Sequence, residues 1–274
     1  MRVLIAGCGY VGTALGLELA GDGHEVFGLR RDPGGLPDRI EPVAADLVDD
    51  GSLSAIPPDV EWVAITASAD SRDVDAYRTA YLDGPDTLIG FLRDRGDPVR
   101  RLVFTSSTAV YGDRDGDWVE ETSPTEPSSE TARILVEAEE QLRDAPFETV
   151  VARLGGIYGP GRTRLLEQVR RGEAECPEEP TYTNRIHRSD CAGALAHLLS
   201  LDEPKPVYNA VDHDPAERCE VLRWLADELG APEPRVSPDT RRRGSKRVSN
   251  ERLVASGYVF RFPSFREGYA PLTR

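Results

Sequence analysis

Apolar positions along the chain fall into two alternating kinds of stretch. Strand-like stretches appear at the apolar run Val3-Leu4-Ile5-Ala6 and at Glu25–Leu29, Val43–Leu47, Glu61–Ala67 and Arg101–Thr105. Between them lie segments of helical spacing. Val11, Ala14, Leu15, Leu17, Leu19 and Ala20 form the first, and a long stretch from about Ser71 to Arg95 forms another, with Gly84-Pro85 inside it as an expected kink or break. Further helices are expected at Arg164–Gly172 and Ala216–Gly230, a returning strand within Pro204–Val211, and a polar loop over Asp113–Pro127. This alternation predicts an α/β fold, a Rossmann-type doubly wound parallel sheet with helices on both faces.

The first strand and the first helix are joined by Gly7-Cys8-Gly9-Tyr10-Val11-Gly12. In such a turn Gly7 permits the tight reversal, and Gly9 lets the backbone approach a pyrophosphate. Gly12 lets the helix pack on the strand, so that the N–H groups around Tyr10 and Val11 face phosphates. The second strand runs into Arg30-Arg31, with Arg30 falling 18 positions after Gly12. An acidic residue near this place suits the ribose 2′-OH of NAD, and an arginine suits the 2′-phosphate of NADP. Arg30 and Arg31 therefore favour NADP, while Asp32 keeps NAD open. Asp46 and Leu47 end the third run at the adenine edge, and Thr66 and Ala67 end the fourth in small residues where a dinucleotide passes.

Charge changes the picture in two ways. The 33 basic and 48 acidic residues leave a net charge of −15, which excludes a nucleic-acid surface. Lys205 and Lys246 are the only lysines, so the basic residues are otherwise arginine. Abundant carboxylates with almost no lysine point to a cytosol rich in salt. No apolar run approaches the ~20 residues of a membrane span, and the chain enters a strand with no cationic leader, so a cytoplasmic protein is expected. Cys8, Cys176, Cys191 and Cys219 are scattered, and His24, His187, His197 and His213 form no metal set, so neither disulfide framework nor metal is expected.

Four blocks carry a resemblance to a known family. The glycine turn is followed by Phe104-Thr105-Ser106-Ser107-Thr108-Ala109-Val110-Tyr111-Gly112, then by Ala152–Gly161, then by Asn184-Arg185-Ile186-His187-Arg188-Ser189-Asp190-Cys191-Ala192. In that order they resemble the extended short-chain dehydrogenase/reductases, the NAD(P)-dependent epimerase/dehydratase family. Ser245–Asn250 and Gly257-Tyr258 resemble the tail of small atypical members. The resemblance implies a nucleotide domain from 1–154 and 184–212 and a small C-terminal substrate lobe from 155–183 and 213–274. It also implies a small-molecule substrate and a homodimer through helices near 71–95 and 129–143.

The family's chemistry uses a Ser or Thr, a Tyr, and a Lys four residues after the Tyr. Ser107 falls on the hydroxyl position. The helix that would carry the other two places Ser129 at the Tyr position and Arg133 at the Lys position. A serine hydroxyl is too weak an acid to replace a tuned phenol, and Arg stays protonated. Arg133 is still able to hold ribose hydroxyls or a substrate carboxylate. Three readings follow. Another group supplies the proton (Tyr111, Tyr158 or His187); or hydride transfer is assisted by substrate or water with Ser107 holding the oxygen; or the chain is a non-catalytic NADP(H)-binding redox-sensor or scaffold module. Arg241–Arg247 is the one basic run, read either as a solvated loop or as an anion site for the substrate at Lys246 and Arg247, beside Tyr158 and His187 as pocket residues.

Overall fold

The computed structural model describes residues 1–238 and 244–273. Seven strands form the central sheet and are numbered along the chain: β1 (Arg2–Ala6), β2 (Glu25–Arg30), β3 (Glu41–Ala44), β4 (Trp62–Ile65), β5 (Arg101–Ser107), β6 (Thr149–Leu154) and β7 (Val207–Ala210). Their order is β7-β6-β5-β4-β1-β2-β3. β1 runs parallel to both β2 and β4, in register Leu4 with Phe27 and with Val63. The chain therefore winds outward through β1, β2 and β3, then returns to the other side of β1 with β4. This reversal is the topological switch point where doubly wound sheets bind ligands, at the carboxyl ends of the strands.

Strand residues alternate between two covered faces. Leu4, Ala6, Phe27, Leu29, Val63, Ile65, Leu102 and Phe104 share one core with helical Leu88, Leu92, Ile134, Ala138 and Leu142. Ile5 points to the opposite face, toward Gly12 and Gly16 of helix α1 (Tyr10–Gly21).

The long helical stretch contains no break at Gly84-Pro85. An α-helical turn at Val74–Arg78 continues through a π-helical turn at Thr79–Asp83 into α2 (Gly84–Arg95). The Gly84 N–H reaches back to the Thr79 carbonyl, and Gly84 keeps helical angles, φ −63° and ψ −49°. The widened turn accommodates the missing Pro85 N–H and relieves its ring from the preceding carbonyls. A side chain at Gly84 would meet Leu47 Cβ at 3.0 Å.

The chain divides into two compact units: residues 1–110, 127–153 and 192–208, and residues 111–126, 154–191 and 209–274. This differs from the expected division chiefly by giving 111–126 and 184–191 to the second unit. The expected loop over Asp113–Pro127 contains a short strand, Trp118–Val119, paired parallel with Arg247–Val248. The second unit has its own core, with Leu166, Val169, Cys176, Val221, Leu222, Leu225 and Phe265. Asp190, fully buried, accepts hydrogen bonds from the Tyr258 hydroxyl (2.9 Å) and the backbone N–H groups of Arg261 (2.8 Å) and Phe262 (3.0 Å), which ties residues 258–262 to Asp190.

Candidate cofactor and substrate sites

The glycine turn is built from contacts that only glycine allows. Gly7 has φ +85°, and a Cβ there would lie 2.3 Å from the backbone of Ala67. The N–H groups of Gly7 and Cys8 both donate to the Leu29 carbonyl at 3.0 Å, and Thr66 Oγ1 donates to the Gly7 carbonyl at 2.9 Å. The turn is thus clamped between the end of β2 and the end of β4. At Gly12 a Cβ would meet Thr66 Oγ1 at 2.6 Å and Ile5 Cγ2 at 2.9 Å, so helix α1 sits directly on the sheet. Gly9 is different: a Cβ there would meet nothing nearer than the Gly7 carbonyl at 3.8 Å. The turn is closed at its first and third glycines and open at the second. No side chain caps α1, whose first turn holds no acidic residue. An open backbone at a helix start, with no carboxylate beside it, fits a dinucleotide pyrophosphate.

The expected edge residues lie in the same unit. Arg30 ends β2 and is half-exposed; Arg31 is exposed and pairs with Asp70 at 2.7 Å. Asp32 Oδ1 accepts from the Gly34 N–H (3.0 Å). Asp46 lies beyond the end of β3, which is shorter than the expected run, and its Oδ1 accepts from the Val48 N–H. Leu47 packs on the sheet core. Cys8 is buried, and burial pushes its thiol pKa up, so it packs rather than reacts.

Ser107 closes β5, half-exposed, its Oγ accepting from the Ala109 N–H (3.2 Å). Beside it lies a buried network the sequence reading missed. Ser106 Oγ donates to Glu139 Oε1 at 2.6 Å; Arg153 donates from Nε to Oε1 at 3.0 Å and from Nη2 to Oε2 at 2.6 Å. Glu139 is 3% exposed and Arg153 5%. The sequence held a signal. Glu139 sits four residues after Leu135 and three before Leu142, a charge inside the apolar stripe of one helix.

That helix, α3 (Glu130–Arg143), begins one residue after Ser129. Ser129 is its N-cap, with φ −130° and ψ 155°, and its hydroxyl accepts from the Ala132 N–H at 3.2 Å. The expectation that Ser129 and Arg133 share one helix face is therefore corrected: Ser129 lies outside the helix because its side chain serves the orphan N–H groups. Arg133 is exposed, one turn in.

The remaining candidates belong to the second unit. Tyr111 is fully buried and its hydroxyl donates to Asn209 Oδ1 at 2.7 Å. Asn209 is itself held by Glu121 Oε1, which accepts from its N–H (2.8 Å), and by the Ser249 carbonyl (3.1 Å). Tyr158 is buried, stacked on Tyr269 at 4.4 Å, and donates to the Ser264 carbonyl at 3.3 Å. Burial, then the nearby Asp212, raises its pKa well above the phenol range. His187 is buried against Phe262, with ring centroids 3.9 Å apart, and its Nδ1 accepts from the Ser189 N–H. Burial and then Arg188 lower its pKa to about 4, so it is neutral at pH 7. These three are packed and bonded within their own unit, and the pKa shifts of Tyr158 and His187 make each a poorer proton exchanger near neutrality.

The basic run is no solvated loop where it is described. Arg241, Arg242 and Arg243 lie outside the described residues. Lys246 is buried, its Nζ donating to the Gly112 carbonyl at 2.6 Å, and burial lowers its pKa. Arg247 Nε donates to the Gly116 carbonyl at 2.6 Å while the guanidinium lies over Tyr182 (4.9 Å) and Trp118 (5.3 Å). Both cations hold the turn at 112–118. Among the described residues no group of His, Cys, Asp and Glu is placed to bind a metal ion, and no helix is long and apolar enough to cross a membrane.

Comparison with known proteins agrees with the turn and the sheet. A family model described as the NAD dependent epimerase/dehydratase family matches residues 3–210. Protein YeeZ of Escherichia coli K12 is 28% identical over 278 residues, 96% of each chain. The 3-diazoavenalumate denitrifying reductase of a Streptomyces species is 30% identical over 260 residues, 87% of this chain and 84% of the reductase. The crystal structure of human epimerase family protein SDR39U1 (isoform 2) with NADPH shares the fold at a TM-score of 0.83, with 22% identity, over 100% of this chain and 99% of that one. A β-strand, glycine turn and helix at a switch point, in a seven-stranded sheet that this family model spans almost entirely, place the chain in the NAD-dependent epimerase/dehydratase family.

Proposed function

We propose that this protein is an NADP(H)-dependent oxidoreductase acting on a small carbonyl, hydroxyl or sugar-type molecule without a tyrosine–lysine proton relay. The observation that carries the reading is the turn closed at Gly7 and Gly12 and open at Gly9. Gly9, Tyr10, Val11 and the start of α1 hold the pyrophosphate; Arg30 and Arg31 meet the 2′-phosphate; Asp46, Leu47, Thr66 and Ala67 line the adenosine and the strand ends. Two of the relatives support a redox role and this cofactor by their printed descriptions, one a reductase and one solved with NADPH. When bound, the nicotinamide supplies or accepts a hydride. Ser107 orients the substrate oxygen, and Arg133 offers charge and hydrogen bonds but moves no proton. Substrate or water completes the proton balance, so turnover is slow or confined to acceptors that need no strong acid.

NADPH and NADH binding, followed by cofactor fluorescence for wild type and Arg30→Ala, tests the cofactor reading. Tighter NADPH binding that Arg30→Ala weakens is expected, and a clear preference for NADH refutes it. Cofactor consumption with a panel of aldehydes, ketones and nucleotide sugars tests turnover.

A second reading rests on Ser129 as a helix cap: the chain binds NADP(H) as a redox-sensing or scaffold module without turnover. Tight binding with no consumption across the panel selects it. In either reading a homodimer through the helices near 71–95 and 129–143 is proposed, with light scattering as its check.

A further inference from the structure

Arg31 and Asp70 stand on opposite flanks of the glycine turn. Arg31 lies two residues beyond Leu29, whose carbonyl takes the Gly7 and Cys8 N–H groups. Asp70 lies three residues beyond Ala67, whose backbone packs against Gly7. Their ion pair, 2.7 Å from Nη2 to Oδ2, therefore joins the segment after β2 to the segment after β4, with the end of β1 between them.

The pair also involves two groups with different claims on one cation. An arginine at the end of β2 is the group that takes a 2′-phosphate, and a phosphate with three acceptor oxygens suits its planar fork better than a single carboxylate oxygen does. Both side chains are exposed, 65% and 70%, so the pair is free to exchange partners.

We infer that Asp70 is a specificity-determining residue, a built-in competitor that holds Arg31 across the glycine turn and releases it only to a dinucleotide bearing a 2′-phosphate. The inference rests on the reading that this turn binds NADP(H). With NADPH, Arg31 passes from Asp70 to the phosphate, and part of the phosphate's gain is offset by the broken pair. With NADH, Arg31 stays on Asp70. Asp70 thus narrows the preference for NADPH that Arg30 and Arg31 create.

The test is the dissociation constants of NADPH and NADH, measured by cofactor fluorescence at one fixed KCl concentration, for wild type, Asp70→Asn, Arg31→Ala and the double variant. Both positions are exposed, so unchanged melting curves are the check on folding. Asp70→Asn is expected to tighten NADPH by about two- to fivefold, the worth of one exposed ion pair, and to leave NADH unchanged. In the Arg31→Ala background the same substitution is expected to change neither. Equal tightening of both cofactors overturns the inference, because Asp70 then gates entry without selecting. An undiminished gain in the Arg31→Ala background also overturns it, because Asp70 then repels the phosphate directly. Failure of the wild-type protein to bind either cofactor is a separate result that refutes the dinucleotide reading itself.

Discussion

Replacing Glu139 by alanine removes the carboxylate on which Ser106 and Arg153 converge. Both of its oxygens are used, and Arg153 is only 5% exposed, so water does not take its place. Breaking a buried ion pair by deleting one partner costs about 3–5 kcal/mol, and the stranded Ser106 hydroxyl adds about 1 kcal/mol. At roughly 2–4 °C per kcal/mol for a domain of this size, the melting temperature should fall by roughly 8 to 24 °C, read by circular dichroism. Glu139→Gln keeps an acceptor oxygen for Ser106 and should lose less. The double variant Glu139→Leu with Arg153→Met removes both charges and fills similar space, so it should recover most of the loss. The reasoning fails if Glu139→Ala melts within about 3 °C of wild type, or if the double variant is no more stable than the single one.

Three further outcomes are expected. Asp212 is buried, with Oδ2 lacking a hydrogen-bond partner, and burial raises its pKa to about 8 despite Arg185, with Asp214 and Asp190 also nearby. A carboxyl whose folded pKa is raised keeps its proton in the folded state, so stability should fall as pH climbs from about 4 through about 8. Asp212→Asn should flatten the urea-midpoint profile between pH 6.5 and 8, and an unchanged slope rejects the assignment. The acidic, lysine-poor composition predicts a higher melting temperature in molar than in low KCl; equal values sink the salt-adapted reading. Ser129→Tyr with Arg133→Lys restores the family's pair on paper but removes the N-cap hydroxyl, at a cost of about 1 kcal/mol. It should retain cofactor binding with a slightly lower melting temperature, whereas a rise in stability contradicts the cap.

The parts of this protein legible in advance are those whose physics is local. The glycine turn was readable because the strand, the turn residues and the helix are consecutive, and a Gly at φ +85° answers a need expressed within six residues. The alternation of strand-like and helical stretches disclosed the parallel sheet with helices on both faces for the same reason. Ser129 was misplaced even though a cap is a local device. A family correspondence put it inside the helix, while its own hydroxyl, three residues before Ala132, was the better guide. Gly84-Pro85 is expected to kink or break the helix, and the structure carries the helix through it by a π-helical turn.

Other features depend on partners that no local pattern names. Glu139 meets Arg153 on another element, and Tyr158 packs where a Cβ at Gly268 would lie 1.9 Å from its hydroxyl. Lys246 looked like a surface cation until Gly112, 134 residues away in sequence, became its acceptor. Whether a charged or aromatic side chain binds a ligand or holds the fold depends on what is brought against it. Periodicity and turn residues carry the backbone's preferences, residue by residue, and so determine the sheet and the glycine turn, while the four motif blocks carry the family resemblance. Burial and hydrogen-bond partners arise only when distant segments meet, and it was tertiary packing alone that buried Tyr111, Tyr158, His187 and Lys246 and left Arg31 facing Asp70 across the turn.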